Sequence, residues 1–262
     1  MKHHAKKRFG QHFLNDQTVI THIVSAIHPT KDDALIEIGP GLGALTQAIL
    51  PHTKTMHAIE LDRDVIPKLE HICKDLGELR IHQADVLSVD FHALTEKRPL
   101  RIIGNLPYNI STPLLFHLIG YADSIRDMVF MVQREVAERL AAPTGGKHYG
   151  RLSVMMQYHC SCSVLFDVPP TAFSPPPKVM SSVIRIIPHK TLPSIANNKE
   201  HFEMIVREAF NHRRKTLHNS LKKFVEPDMF VQAQLDPQLR PEQVSVKQFI
   251  ALSNSVTSAP GK

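Results

Sequence analysis

Glu37-Ile38-Gly39-Pro40-Gly41-Leu42-Gly43 closes an apolar run that begins at Ala34, and residues 43–50 continue from it at helical spacing. A strand-to-helix turn with glycine at alternate positions lets the backbone approach a ligand closely and aims the helix N-terminus at it. Because Ala44 follows Gly43, the loop also satisfies the dinucleotide fingerprint G-x-G-x-x-A. The loop alone therefore predicts a cofactor crevice without choosing its occupant.

Working outward, short apolar runs at 34–38, 56–61, 79–83 and 100–103 alternate with helical spacing at 43–50 and 63–76. Such alternation predicts βαβ units and a parallel sheet, an α/β fold with helices on both faces. It continues through a helix near 112–121, a strand at 128–133 and a helix near 151–158. Two β-rich runs, 163–168 and 181–187, then flank a proline-rich loop as a hairpin at the sheet edge. In a doubly wound sheet, ligands sit beyond the carboxyl ends of the strands. Glu60 ends the second strand about 20 residues after the glycines, where a carboxylate holds ribose hydroxyls. Asp85, in Gln83-Ala84-Asp85-Val86, ends the third, where it can meet the amino group of a bound adenine. Gly39, Gly41, Glu60 and Asp85 are thus one candidate set, compatible with a nicotinamide cofactor or with S-adenosylmethionine.

The fourth strand ends in Asn105-Leu106-Pro107-Tyr108, which resembles the [N/D]-P-P-[Y/F] motif of amino-methyltransferases. The lone pair of an exocyclic amine on adenine is delocalised into the ring, so the nitrogen is a poor nucleophile. The Asn105 side-chain oxygen and the Leu106 carbonyl can accept its two N–H groups. Those bonds strengthen as the nitrogen becomes tetrahedral, which is differential binding of the transition state. Pro107 stiffens the turn, and Tyr108 offers a ring for the base to stack on. No metal-ligand set is expected. The close pair Cys160 and Cys162 is too tight for a zinc knuckle and reads as small buried side chains.

Four stretches together resemble the KsgA family of small-subunit ribosomal RNA adenine dimethyltransferases over nearly the whole chain. They are Lys7-Arg8-Phe9-Gly10-Gln11-His12-Phe13-Leu14, the 37–43 loop, Asn105-Leu106-Pro107-Tyr108-Asn109-Ile110-Ser111, and Phe173-Ser174-Pro175-Pro176-Pro177-Lys178-Val179. The resemblance implies a Rossmann-like S-adenosylmethionine methyltransferase sheet, with His12, Leu14, Gly39, Glu60, Asp85 and Asn105 contacting that cofactor. His12 departs from the family pattern, which usually has asparagine there. The resemblance further implies the substrate: two adjacent adenines in the 3′-terminal hairpin of 16S ribosomal RNA, each dimethylated during small-subunit assembly. Macrolide-resistance relatives share the loop and the Asn-x-Pro-Tyr-like motif but act on large-subunit RNA. They usually lack the triple proline and the Arg213-Arg214-Lys215 context.

The remaining features agree with a nucleic-acid enzyme. The 262 residues carry a net charge of +6 and 17 histidines, which favours a polyanionic partner. Basic residues cluster at Lys2, Lys6, Lys7 and Arg8, and again at Arg207, Arg213, Arg214, Lys215, Lys222 and Lys223. Three cysteines and no long apolar run predict a reduced, cytoplasmic protein without a membrane span; it is expected to act as a monomer. Residues 1–188 are expected to form the catalytic domain with a basic N-terminal arm. After a linker at 189–198, residues up to 262 are expected to form a small helical domain for RNA recognition. Lys178, Arg213, Arg214 and Lys215 are the candidate RNA contacts of the chain together with Phe173, whose ring is expected to reach the crevice opposite Tyr108 and sandwich the flipped base. A nicotinamide oxidoreductase would leave Asn105–Tyr108 idle, and a non-catalytic assembly factor would need no intact crevice.

Overall fold

The computed structural model describes residues 12–94, 98–212 and 214–257. In chain order the elements are β1 (Phe13–Leu14), α1 (Gln17–Ile27), β2 (Ala34–Ile38), α2 (Ala44–Ile49), β3 (Thr55–Glu60), α3 (Ile66–Cys73), β4 (Glu78–Gln83) and β5 (Leu100–Asn105). They continue with α4 (Ser111–Ile119), β6 (Ile125–Gln133), α5 (Arg134–Leu140), α6 (Arg151–His159), β7 (Cys160–Val168), β8 (Phe173–Ser174) and β9 (Ser181–Pro188). The last four are α7 (Lys199–Asn211), α8 (Leu217–Leu221), α9 (Pro227–Gln232) and α10 (Val246–Thr257). Two compact units result. The first takes the chain as far as Ala137 together with Cys162–Pro188; the second joins Glu138–Ser161 to the chain from His189 onward.

The first unit is a seven-stranded sheet ordered β4-β3-β2-β5-β6-β9-β7. Strands β2 to β6 are parallel neighbours and β9 runs antiparallel to β6. The central strands β2, β5 and β6 are buried nearly throughout, as continuous apolar runs covered by helices on both faces require. The outer strand β4 has no fully buried residue, which suits a polar sheet edge. Register sets Ile38 beside Ile59, Glu60 beside Gln83 and Asn105 beside Met131. The carboxyl ends of β2, β3, β4 and β5 therefore share one rim.

At the amino ends of these strands Arg101 is buried on β5. Its Nε and Nη2 donate to the two Asp127 oxygens at 2.7 and 2.9 Å, and Nη1 donates to Asp33 Oδ2 at 2.7 Å. It also donates to the carbonyls of Ile27, the last residue of α1, and of His28, which caps it. Every charge in this cluster has partners, so its burial is tolerated. Burial alone would raise the Asp33 pKa, but the Arg101 and Thr30 hydrogen bonds outweigh it and hold the carboxyl below its ordinary value.

Helix α1 is capped by the Asp16 side chain, which accepts from the Thr18 and Val19 N–H groups, and it buries Ile20, Ile23 and Ile27. The spacing of these residues behind an aspartate cap is a readable helix signal, lying upstream of the strand–helix alternation that starts at Ala34.

In the second unit the Tyr158 ring packs 4.7 Å from Phe202 on α7, and the buried Tyr149 hydroxyl donates to the Val244 carbonyl at 3.1 Å. Glu138–Ser161 thus packs with the C-terminal helices, whereas the expected division kept everything to residue 188 together. Chain order placed α6 with the sheet; the apolar face it buries places it with α7 and α10. Helix α8 ends at Leu221, before Phe224. Among the described residues, no helix is long and apolar enough to cross a membrane.

Candidate active site

At the carboxyl rim of the first unit a crevice is lined by His12, Leu14, Gly39, Gly41, Glu60, Asp85, Asn105, Leu106 and Tyr108, among others. Every residue expected to hold the cofactor or the amine therefore converges there.

The floor is the glycine loop. Gly39 has φ +66°, and a Cβ there would meet only Pro107 at 4.0 Å, so the space before its backbone is open. Gly41 has φ +56°, and a Cβ would stand 3.1 Å from the Phe13 ring. Both the left-handed backbone and the neighbouring ring thus require glycine at Gly41.

Its N–H donates to Glu60 Oε2 at 3.1 Å, while the Asp62 N–H donates to Glu60 Oε1 at 2.8 Å. The Glu60 side chain is held rigidly, and each oxygen keeps a further lone pair for a ligand hydroxyl. Burial raises its pKa, against the pull of the two backbone N–H groups. Asp85 is exposed at the rim and caps a short turn by accepting from the Leu87 N–H at 3.0 Å.

Glu37 was passed over in the sequence as part of the loop motif. It is 2 % exposed, accepts the Thr46 hydroxyl at 2.6 Å and lies on the crevice wall. A lone acid inside a buried apolar strand was the available signal. Burial pushes its pKa up to about 7. A folded pKa above the unfolded value of 4.5 means that the native state binds more protons. Stability from this group is then full below about 4.5 and is lost as pH rises through about 7. Glu37→Gln should remove that decline, seen as a flatter urea midpoint between pH 5 and 8 (about one proton less of linkage). A wild-type pH profile retained in the variant would refute the assignment.

The Asn105 turn forms the opposite wall. Asn105 Nδ2 donates to the His12 carbonyl at 2.9 Å, which commits the nitrogen end of the amide and leaves its oxygen as the acceptor. The Leu106 N–H donates to the Met131 carbonyl at 3.0 Å, fixing that peptide. Pro107 accepts from Ser111 and from the Ile110 N–H, closing the turn into α4. The Tyr108 hydroxyl shares a 2.7 Å hydrogen bond with Ser181 on β9, and burial raises its pKa.

The N-terminal segment is clamped onto this crevice by β1, which pairs antiparallel with β8: Phe13 with Ser174 and Leu14 with Phe173. That pairing corrects the expectation for Phe173. It is 3 % exposed and belongs to the same buried core cluster as Leu14, Ile20, Ile23, Val168 and Val183. It does not line the crevice, so the sandwich of a base between Phe173 and Tyr108 is not the arrangement present. An aromatic ring next to a two-residue strand is buried by the partner strand, and nothing local in the sequence reveals that partner. Lys178 is exposed beyond the prolines, and Arg214 and Lys215 are exposed after α7 in the second unit. Arg213, residues 1–11 and their basic cluster lie outside the described residues.

The crevice fits S-adenosylmethionine better than a dinucleotide. Its lining includes the carboxylates Glu37, Glu60 and Asp85 and, among the described residues, no lysine or arginine. That set suits a cationic ligand with ribose hydroxyls and an adenine amine, and offers no cation to a diphosphate.

The pattern of the ribosomal RNA adenine dimethylase family matches residues 2–258. "Ribosomal RNA small subunit methyltransferase A" of Yersinia pestis (strain Pestoides F) is 50 % identical, covering 99 % of this chain and 97 % of its own. The same-named protein of Yersinia pseudotuberculosis serotype O:1b matches to the same extent. Among solved structures, a dimethyladenosine transferase from Plasmodium falciparum has a TM-score of 0.77 and 26 % identity, covering 92 % of this chain and 96 % of that one. The 23S rRNA methyltransferase ErmE shares the fold, with a TM-score of 0.72 and 22 % identity over 94 % of this chain and all of its own. The chain belongs to the ribosomal RNA adenine dimethylase family and is an S-adenosylmethionine-dependent ribosomal RNA adenine dimethyltransferase.

Proposed function

We propose that this enzyme dimethylates the N6 amino groups of two adjacent adenines in the 3′-terminal hairpin of 16S ribosomal RNA, acting as a monomer on the immature small subunit in the cytoplasm. The observation that carries the chemistry is the tethered Asn105 amide beside Tyr108, above the glycine loop.

S-adenosylmethionine supplies, when bound, an electrophilic methyl group on a sulfonium. In this reading Gly39, Gly41, Glu60 and Asp85 hold the nucleoside part, with Leu14 and His12 closing the crevice. The Asn105 oxygen and the Leu106 carbonyl accept the two N–H groups of the target amine and orient its lone pair at the methyl. Both acceptors are fixed before the reaction, so they need no reorganisation as positive charge develops on the nitrogen. Tyr108 stacks on the flipped base, offsetting its unstacking by about 1–3 kcal/mol. The first unit with the N-terminal arm is catalytic. The C-terminal helical part, expected from residue 189 and here including Glu138–Ser161, recognises RNA through Arg213, Arg214 and Lys215, with Lys178 contributing from the proline loop.

The decisive experiment incubates the protein with labelled S-adenosylmethionine and unmethylated small subunits, large subunits or naked RNA, then maps modified bases. The expected result is dimethylation of two adjacent adenines near the 3′ end of 16S RNA in small subunits. Label in large-subunit RNA would replace this reading with the macrolide-resistance type. Replacing Arg214 and Lys215 together by glutamate should weaken RNA binding and make the log-affinity against log-salt slope shallower by about 2, one unit per lost phosphate contact. A wild-type slope would make this cluster an ordinary solvated surface.

A further inference from the structure

His12 takes part in three contacts at the crevice, two of them through its ring. Its backbone carbonyl accepts from Asn105 Nδ2 at 2.9 Å. Its ring stacks on Tyr108, with centroids 5.7 Å apart and planes inclined by 29°. Its Nδ1 lies 2.8 Å from the Pro175 carbonyl, and a carbonyl only accepts, so Nδ1–H donates. The imidazole is thereby tied to the proline loop and laid over the phenol ring, whose hydroxyl end is fixed by Ser181.

We propose that the His12 ring is a positioning residue for base recognition: it covers one face of Tyr108 and leaves the other for the target adenine. The role is separate from cofactor contact and rests on the reading of Tyr108 as the stacking platform.

Distances decide which face the base uses. A base inserted between two rings needs two stacking intervals of about 3.5 Å, roughly 7 Å in all. The rings stand 5.7 Å apart, and the imidazole is held at Pro175. Insertion would break that hydrogen bond, whereas stacking on the opposite face leaves it intact. With Phe173 buried, His12 is, among the described residues, the aromatic ring stacked on Tyr108. An asparagine at this position, the family's usual residue, can donate to Pro175 but offers no ring.

The test uses the whole protein with His12→Ala, which keeps the carbonyl for Asn105, and His12→Phe, which keeps a ring but loses the donor. His12→Ala should lower kcat roughly 3- to 10-fold, the worth of one aromatic pair, when measured at saturating S-adenosylmethionine, so that any loss of cofactor contact does not enter. His12→Phe should recover most of the loss. Weakened cofactor affinity at unchanged kcat in His12→Ala would overturn the proposal and leave His12 a cofactor contact only. A second readout needs no RNA. The Tyr108 ring-proton resonances, identified by their disappearance in Tyr108→Phe, should shift in His12→Ala as the neighbouring ring current is lost. Unchanged resonances would overturn the stack itself. If the wild-type protein fails to methylate ribosomal RNA, the functional reading fails while the resonance experiment still decides the stack.

Discussion

Asn105→Ala is expected to lower turnover about 10²- to 10³-fold, the usual cost of deleting one fixed partner of a transition state, while RNA affinity stays near wild type. The amide does two things at once. Its nitrogen binds the His12 carbonyl, and its oxygen is left to accept from the target amine. Alanine removes the acceptor that should strengthen most as the amine nitrogen becomes tetrahedral, so the loss falls on kcat rather than on substrate binding. The same change frees the His12 carbonyl from its tether, and some loosening of the N-terminal segment should accompany it. Single-turnover methylation of small subunits, with RNA binding measured separately, distinguishes the two contributions. Should RNA binding vanish together with turnover, Asn105 is holding the fold of the crevice and not the amine.

Phe173→Ala is expected to destabilise the protein by about 3–5 kcal/mol, the range for deleting a buried aromatic side chain. Phe173 is 3 % exposed, shares a buried core cluster with Leu14, Ile20, Ile23, Val168 and Val183, and its strand pairs with β1. Its removal leaves a cavity directly behind the segment that carries His12 and Leu14. Urea unfolding should show a lower midpoint, while activity per folded molecule stays within a few-fold. Phe173→Leu fills most of that volume and should cost less than about 1.5 kcal/mol. The opposite pattern, an unchanged midpoint with methylation abolished in both variants, would return Phe173 to the base-stacking role that the sequence suggested.

These two residues mark where the sequence could and could not be read. Asn105 was legible because it ends a strand. A parallel strand buried on both faces is a continuous apolar run, so β2, β3 and β5 announce themselves, and the residue that stops each run lies at the ligand-binding rim. Gly39, Gly41, Glu60, Asp85 and Asn105 could be named for that reason, and register brings their strand ends together. Phe173 was not legible in this way. An isolated phenylalanine beside prolines has the same local signature whether it faces solvent, a base or a core.

The sequence by itself determined the α/β class, the order of the alternating elements up to β6, and the strand-end residues that line the crevice. Each of these follows from the period of apolar residues or from what stands at a strand end, and both are local properties of the chain. Tertiary structure decided the rest. It paired Leu14 with Phe173 across the fold, grouped Glu138–Ser161 with the C-terminal helices and buried Arg101 between Asp33 and Asp127. It also turned the Asn105 amide toward His12 and laid the His12 ring on Tyr108. All of these join residues far apart in the chain. An apolar or polar pattern reports that a face will be covered, and only the assembled fold specifies by what.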